Sequence, residues 1–246
     1  MTETHALTND LWQPFASYGF THPFWAIETV ILRDTWIVLG ILAIIAFFVP
    51  IILEKKRSVA RYVLISFIQN FITLTEQSLG GFVIHHFNFI TSIFCFIFCC
   101  NMAALIPWME EPTKDLNTTL ALGIIAFIYT QIYAIKAHGI VEYFKEYCEP
   151  FFLMFPLHVV GKLATVVSIS FRLFGNIFGG ATISTIYFNA LSGSFVYEIL
   201  GLLSGVNMVM FLFFGLFEGF LQAFVFTMLT ITYLAIAVQH EPKGIS

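Results

Sequence analysis

The sequence predicts an all-α integral membrane protein with about five membrane helices and an amphipathic surface helix, ending in a long tilted helical hairpin. Of the 246 residues, 59% are hydrophobic and only 11% are charged, and the mean hydropathy is +0.87. A soluble domain carries about a quarter charged residues. The 30 phenylalanines supply more apolar area than one globular core can bury. This composition excludes an ordinary soluble domain, and the lack of a basic tract excludes a nucleic-acid partner.

The first membrane span is predicted at residues 35–53, which carry no charge. A helix of this length crosses about 30 Å of hydrocarbon. The basic stretch EKKRSVAR follows at 54–61, so the positive-inside rule places it on the inner side and residues 1–34 on the outer side. The rest of the inner segment 54–81 alternates apolar and polar residues, which predicts an amphipathic surface helix at 62–80.

Two hairpins complete the prediction. Residues 82–136 form a helical hairpin whose connecting loop, PWMEEPTKD, is acidic and fits the outer side. Residues 137–246 form a long tilted hairpin, with a bend at LSGS (191–194) and spans longer than a straight crossing requires. Because no soluble segment and no internal repeat separates from the rest, residues 1–246 are predicted to form a single polytopic membrane domain.

Cysteine and histidine spacing predicts neither a disulfide framework nor a metal site, and no cofactor is expected. Cys95, Cys99 and Cys100 lie inside an apolar run, where cysteine acts as a small packing residue. Histidines 85, 86 and 138 lie near predicted helix ends and are expected at the membrane interface.

The most informative stretch is VVSISFRLFGNIFGG, residues 166–180, whose single charge is Arg172. A cation at the centre of a membrane helix costs about 2.5 to 3.5 kcal/mol on insertion scales. Ser168 and Asn176 lie four residues to either side, so all three share one helix face. Gly175 and Gly179 form a GxxxG pair that lets another helix approach closely.

The second long helix has its own isolated charge, Glu218, with Gln222 one turn later on the same face. Two interpretations of Arg172 and Glu218 are open. They could form an ion pair that only holds the hairpin together, or they could mark an ion path. Ionisable residues inside membranes usually mark ion or substrate paths, which favours the second.

The stretch SISFRLFGNIFGG resembles the hallmark motif of the F-type ATP synthase subunit a family, in which a lone arginine lies four residues after a serine and four before an asparagine. NMAALIPWMEEPTKDLNTTLALG is similar to that family's loop between its second and third spans. GLFEGFLQAFVFTMLTITYLAIA is similar to its last helix, with Gln222 at the family's glutamine. The similarity runs in the correct order over about residues 30 to 240.

The resemblance implies a non-catalytic stator channel for protons, or less often for sodium ions, with the ATP sites on other subunits. Its partners would be the c-subunit ring, the peripheral-stalk b subunits, the other ATP synthase subunits and the lipid bilayer. Arg172 would face the ring carboxylate, and Gly175 and Gly179 would contact the ring. The membrane would be a bacterial inner membrane, with the mitochondrial inner membrane as the other option.

The resemblance also implies two offset half-channels. The outer half-channel would be formed by Asn101, Asn176, Glu218 and Gln222. His158 is expected at the inner one, because it lies at the position, fourteen residues before the arginine, where many relatives carry a glutamate; a histidine exchanges protons near neutral pH. Lys162 and Ser168 are secondary inner-side residues.

The match has two departures. Many relatives carry an acid or histidine nine residues after the arginine, where this chain has Ala181. Many also carry a titratable group seven residues before the glutamine, where this chain has Gly215. Glu218 lies one turn from that second position, so we expect it to take over the outer proton relay.

Two other function classes compete. A secondary proton-coupled transporter would transport as an isolated chain and usually has inverted repeats, which the sequence lacks. A haem-bearing electron-transfer subunit would need histidines paired between spanning helices, and His85 and His86 are adjacent instead.

Overall fold

A computed structural model of the chain describes residues 11–12, 27–54, 58–106, 108–148, 155–191 and 205–239. In this part of the chain, five helices are long and apolar enough to cross a membrane: Thr29–Glu54, Ile84–Met102, Leu116–His138, Phe155–Leu191 and Met208–Val238. The predicted all-α membrane fold is confirmed. The predicted bend at 191–194 lies outside the described residues, apart from its first residue.

The regular elements follow one another along the chain with short connections. Two antiparallel two-residue strands precede the helices: β1 (Leu11–Trp12) and β2 (Ile27–Glu28). The helices are α1 (Thr29–Glu54), α2 (Val59–Leu79), α3 (Ile84–Met102), α4 (Leu116–His138), α5 (Ile140–Cys148), α6 (Phe155–Leu191), α7 (Val206–Met210) and α8 (Glu218–Gln239). Short 3-10 turns lie at Ala103–Leu105 and Pro112–Lys114, and a π-helix, Phe211–Phe217, joins α7 to α8.

Helix α1 lies at the edge of the bundle. Only Ile31, Asp34 and Val38 are buried among its residues. Large apolar side chains such as Trp36 and Phe47 point away from the protein, as expected for a helix whose outer surface meets lipid. The helix therefore contacts the rest of the chain mainly through its first turns.

Helix α2 is apolar on one face only. It ends at Gly80, whose left-handed φ of 72° and N–H bond to the Glu76 carbonyl close the helix. Phe71 and Thr75 are buried, and the Phe71 ring packs on Phe94 of α3 with 4.9 Å between ring centroids. Helix α2 is not one of the five membrane-length apolar helices, in keeping with the amphipathic pattern of its sequence.

The last helix, α8, forms the centre of the bundle. It packs on α2, α3, α4 and α6, while α4 also packs on α6. Its buried side chains include Ala223, Phe226, Ile231 and Leu234, which join the core residues of the neighbouring helices. Because α8 touches four helices, a polar residue at its start is placed between several elements at once.

Candidate functional site

Helix α6 has two chemically different faces. Ile169, Leu173 and Ile177 are buried against the bundle. On the opposite side Ser168 and Arg172 are exposed, and the face continues through Gly175 and Gly179. A helical period of 3.6 residues separates the two sets, so the same helix provides both a core face and a free polar face.

Arg172 has no partner inside the described chain. Neither a hydrogen bond nor an ion pair joins its guanidinium to another described residue. A Cβ atom placed on Gly175 or Gly179 would meet nothing within 4 Å. The arginine and both glycines therefore form an open strip on α6.

The ion-pair interpretation of Arg172 and Glu218 does not hold in this structure. The salt bridges among the described residues are Arg33–Asp34 and Lys114–Glu110, and Arg172 and Glu218 take part in neither. The hairpin contact between α6 and α8 is instead made by neutral amides. Asn176 Nδ2 donates a hydrogen bond of 2.6 Å to Gln222 Oε1.

This amide pair connects the free face of α6 to the core. Asn176 lies one turn after Arg172 and is half-buried, whereas Gln222 is 1% exposed. A buried amide without partners would cost about 1 to 3 kcal/mol, so the bond fixes the register between the two helices. Two residues predicted for the outer half-channel are thus brought together.

Asn101 stands on the other side of α8. Its Nδ2 donates to the Gly219 carbonyl at 2.9 Å, and its Oδ1 accepts a bond of 2.7 Å from the Thr113 hydroxyl. Gly219 is needed here, because a Cβ atom would lie 2.8 Å from Met102 Cε. Asn101 is 1% exposed and ties three elements together directly beside Glu218, the residue before Gly219.

Glu218 lies at the edge of a polar cavity of about 320 Å³. The cavity is bounded by the loop after α3, by α6 and by the π-helix. Its polar lining residues are Glu110, Glu111, Lys114, Asn176, Ser184 and Glu218. This volume has room for several water molecules, and the lining offers them hydrogen-bond partners.

Gly180 makes room for the Glu218 carboxylate. A Cβ atom on this glycine would lie 3.2 Å from Glu218 Oε2 and 2.9 Å from Phe214 Cδ1. Ala181, where many relatives carry a titratable group, lines the same cavity with its methyl group. The carboxylate of Glu218 therefore occupies space beside the position where the sequence lacks an acid.

The loop between α3 and α4 is held by a buried carboxylate that sequence reasoning missed. Asp34 of α1 is fully buried; it accepts a 2.9 Å bond from the Glu110 backbone N–H and a 2.8 Å bond from Arg33 Nε. Arg33 in turn donates to the Trp108 carbonyl at 3.4 Å. The available signal was an acid within a predicted membrane-entering segment, next to a base.

Glu111 is the second residue that sequence reasoning missed. It is partly buried in the loop and lines the cavity. Burial raises the pKa of Glu111 to about 7, and the carboxylates of Glu110 and Glu218 raise it further, while Lys114 opposes them. A carboxyl group with this pKa takes up and releases protons at neutral pH.

The inner-side residues lie apart from this cavity. His158 and Ser168 are exposed on α6. Lys162 lines a separate cavity of about 180 Å³ between α4, α6 and α8, with its ammonium 5.0 Å from the centroid of the Tyr143 ring. The structure thus places the predicted inner residues along the first half of α6, before Arg172.

The three histidines near helix ends differ from the interfacial position that the sequence predicts in one case. His86 is 6% exposed, and its Nδ1 lies 3.0 Å from the Tyr129 hydroxyl between α3 and α4. His138 Nε2 donates to the Ala237 carbonyl at 3.0 Å, which joins the ends of α4 and α8. No group of three or more His, Cys, Asp or Glu residues suited to a metal occurs in the described ranges.

Comparison with known proteins identifies relatives over nearly the whole chain. The family model described as ATP synthase A chain matches residues 35–235. ATP synthase subunit a of Moorella thermoacetica is 36% identical over 202 residues, covering 82% of this chain and 87% of the relative. ATP synthase subunit a of Desulfosudis oleivorans is 33% identical over 234 residues, covering 92% and 94%.

A third relative, ATP synthase subunit a of Syntrophobacter fumaroxidans, is 36% identical over 182 residues, covering 72% of this chain and 70% of its own length. The resemblance carried by the motif around Arg172 is confirmed by these matches. With a family model that spans most of its length and relatives of this identity, the chain belongs to the ATP synthase subunit a family.

Proposed function

We propose that this chain is the proton-translocating stator subunit of an F-type ATP synthase, and that it presents Arg172 to the carboxylates of a rotating c-ring. The observation that carries the proposal is the free guanidinium of Arg172 on an open strip of α6. A buried, unpaired charge facing lipid would be costly, so a partner with an anionic group is required to cover it.

The electrostatics of arginine suit this role. Its guanidinium stays protonated at any physiological pH, so its field favours the ionised form of a nearby carboxylate and promotes proton release. The same fixed charge repels a proton that would pass straight from one half-channel to the other. Protons then have to travel around with the ring, which couples flow to rotation.

The outer half-channel is the polar cavity that Glu218 lines. Glu218 acts as its proton relay in place of the titratable groups missing at Ala181 and Gly215. Asn176 and Gln222 hold α6 and α8 in register, and Asn101 holds the start of α8 at Gly219. The support for this assignment is that one continuous space joins the outer loop to the helix face one turn from Arg172.

The inner half-channel runs along the first half of α6. His158 and Ser168 are exposed there on the approach to Arg172, and Lys162 lies between them along the helix. His158 exchanges protons near neutral pH, as a group at the inner mouth must. The two paths then end on opposite sides of Arg172, which satisfies the need for an offset.

The partners follow from the same assignment. The glycine strip at Gly175 and Gly179 meets the c-ring, and the peripheral-stalk b subunits hold the chain against rotation. The chain is an integral membrane protein without catalytic sites of its own. Its relatives are bacterial, which supports the bacterial inner membrane over the mitochondrial one.

Replacing Arg172 with alanine tests the proposal. We expect Arg172→Ala to abolish ATP-driven proton pumping in membrane vesicles that contain the whole complex, because the ring carboxylates lose the charge that drives proton release. Arg61→Ala, which removes a cation of α2, is the matched control and should pump normally. Coupled pumping retained by Arg172→Ala would refute the stator role.

Replacing Glu218 with glutamine tests the outer relay. Glu218→Gln keeps the size of the side chain but removes its titratable proton, so pumping should be lost while the complex still assembles. Glu76→Gln changes an exposed carboxylate of α2 and serves as control. Pumping at the control rate by the Glu218 variant would rule out Glu218 as the relay.

A further inference from the structure

We propose that Glu111, in the loop between α3 and α4, is the proton-accepting group at the outer end of the cavity and passes protons inward to Glu218. This inference deepens the proposed function and rests on it. It adds a relay residue on the loop, outside the spanning helices, which the sequence motifs do not include.

The first support is the cavity itself. Glu111 and Glu218 lie in different elements, separated by more than a hundred residues of sequence, yet both line the same space of about 320 Å³. The other polar lining groups, Asn176 and Ser184, stand along α6 on the same space. Water molecules held by these groups would connect the two carboxylates by hydrogen bonds, as proton transfer requires.

The second support is that the loop is anchored rather than free. Asp34 accepts the backbone N–H of Glu110, the residue immediately before Glu111, at 2.9 Å. On the following side, Thr113 donates to the buried Asn101 at 2.7 Å. Glu111 is therefore held from both sides at the cavity, with α1 on one flank and α3 on the other.

The charged neighbours of Glu111 set its protonation. Lys114 and Glu110 lie in the same loop, where they pair with each other at 3.7 Å, and Glu218 faces it from the start of α8. Arg33 is bound to Asp34 and to the Trp108 carbonyl on the α1 side. Because burial raises the pKa of Glu111 to about 7, roughly half of this group is protonated at pH 7.

The contrast between the two adjacent glutamates provides a matched control. The Glu110 side chain is 51% exposed and bound to Lys114, whereas Glu111 is partly buried. Both line the cavity and both become neutral when changed to glutamine. Only the loss of Glu111 should break the relay, because Glu110 lies at the water-exposed rim.

The test uses the whole complex in proteoliposomes whose lumen corresponds to the outer side. Vesicles are prepared at lumen pH values on both sides of 7, a potassium diffusion potential drives the protons, and the initial rate of ATP synthesis is measured. In the unaltered complex, proton loading of Glu111 falls as the lumen pH rises through about 7, so the rate should fall with it.

We expect Glu111→Gln to slow synthesis and to remove this inflection near pH 7, and Glu110→Gln to retain both the rate and the inflection. Glu111→Asp should restore activity, because it returns a titratable group to the loop. If Glu111→Gln fails to assemble, the pH profile of Glu111→Asp is the deciding measurement, and a profile identical to the unaltered complex would contradict the relay.

Two further variants separate failure of this inference from failure of the proposed function. If Glu218→Gln abolishes synthesis while Glu111→Gln keeps the unaltered rate and pH profile, the relay through Glu111 is wrong and the stator role stands. If both Glu218→Gln and Arg172→Ala retain synthesis, the proposed function itself is wrong, and the Glu111 relay falls with it.

Discussion

At the scale of single residues, the functional chemistry depends on a glycine as much as on the charged groups. Gly180 leaves the space beside α6 that the Glu218 carboxylate and the Phe214 ring fill. Any side chain at this position would have to displace one of them. The acid missing at Ala181 and the glycine before it are therefore two parts of one arrangement, in which the carboxylate reaches the cavity from the opposite helix.

We expect Gly180→Ala to slow proton pumping by displacing the Glu218 carboxylate. The added Cβ would lie 2.9 Å from Phe214 Cδ1 and 3.2 Å from Glu218 Oε2, and overpacking of this kind costs about 1 to 3 kcal/mol. The measurement is ATP-driven pumping in vesicles together with the amount of assembled complex. Gly40→Ala, at an open site on α1, is the control, and equal pumping by both variants would contradict this view of Gly180.

At the scale of elements, α6 performs two tasks because its residues alternate with the helical period. Its inner face, with Leu173 and Ile177, joins the core, and its outer face carries Arg172. The sequence predicts this division, since spacings of four place Ser168, Arg172 and Asn176 on one side. It does not predict how far the polar side turns inward, and Asn176 is drawn to α8 by its bond to Gln222.

The start of α8 is also decided by contacts that no local pattern reveals. A π-helix, Phe211–Phe217, precedes it and shifts the register of the side chains before Glu218. Asn101 then binds the Gly219 carbonyl from α3, more than a hundred residues away in sequence. The sequence predicts Asn101 for the outer half-channel; the structure places it against Gly219 and Thr113 rather than on the cavity wall.

At the scale of the whole molecule, the open strip of α6 is the surface on which a partner would complete the protein. Gly175 and Gly179 have empty space beside their α-carbons, although the rest of the helix is lined by large apolar side chains. Small residues allow two membrane helices to approach closely. The strip therefore fits a tightly apposed helix, as the proposed c-ring would supply.

We expect Gly179→Leu to leave this chain folded but to weaken its association with the c-ring. The leucine side chain would meet nothing in the chain itself and would occupy the space that the ring helix needs. Co-isolation of the ring with the chain in mild detergent measures the effect, and pumping should fall in parallel. Gly40→Leu on α1 is the control; unchanged co-isolation of the Gly179 variant would place the ring on another face.

The sequence by itself determined the membrane class, the helical architecture and the importance of Arg172, because composition and helical spacing are local properties of the chain. Only the tertiary structure decided which acids share a space. Glu111 and Glu218 are distant in sequence, and what joins them to one cavity is the packing of α8 against its neighbours and the anchoring of the outer loop by Asp34 and Asn101. Such long-range contacts leave no periodic pattern in the sequence, since each depends on a residue in another helix.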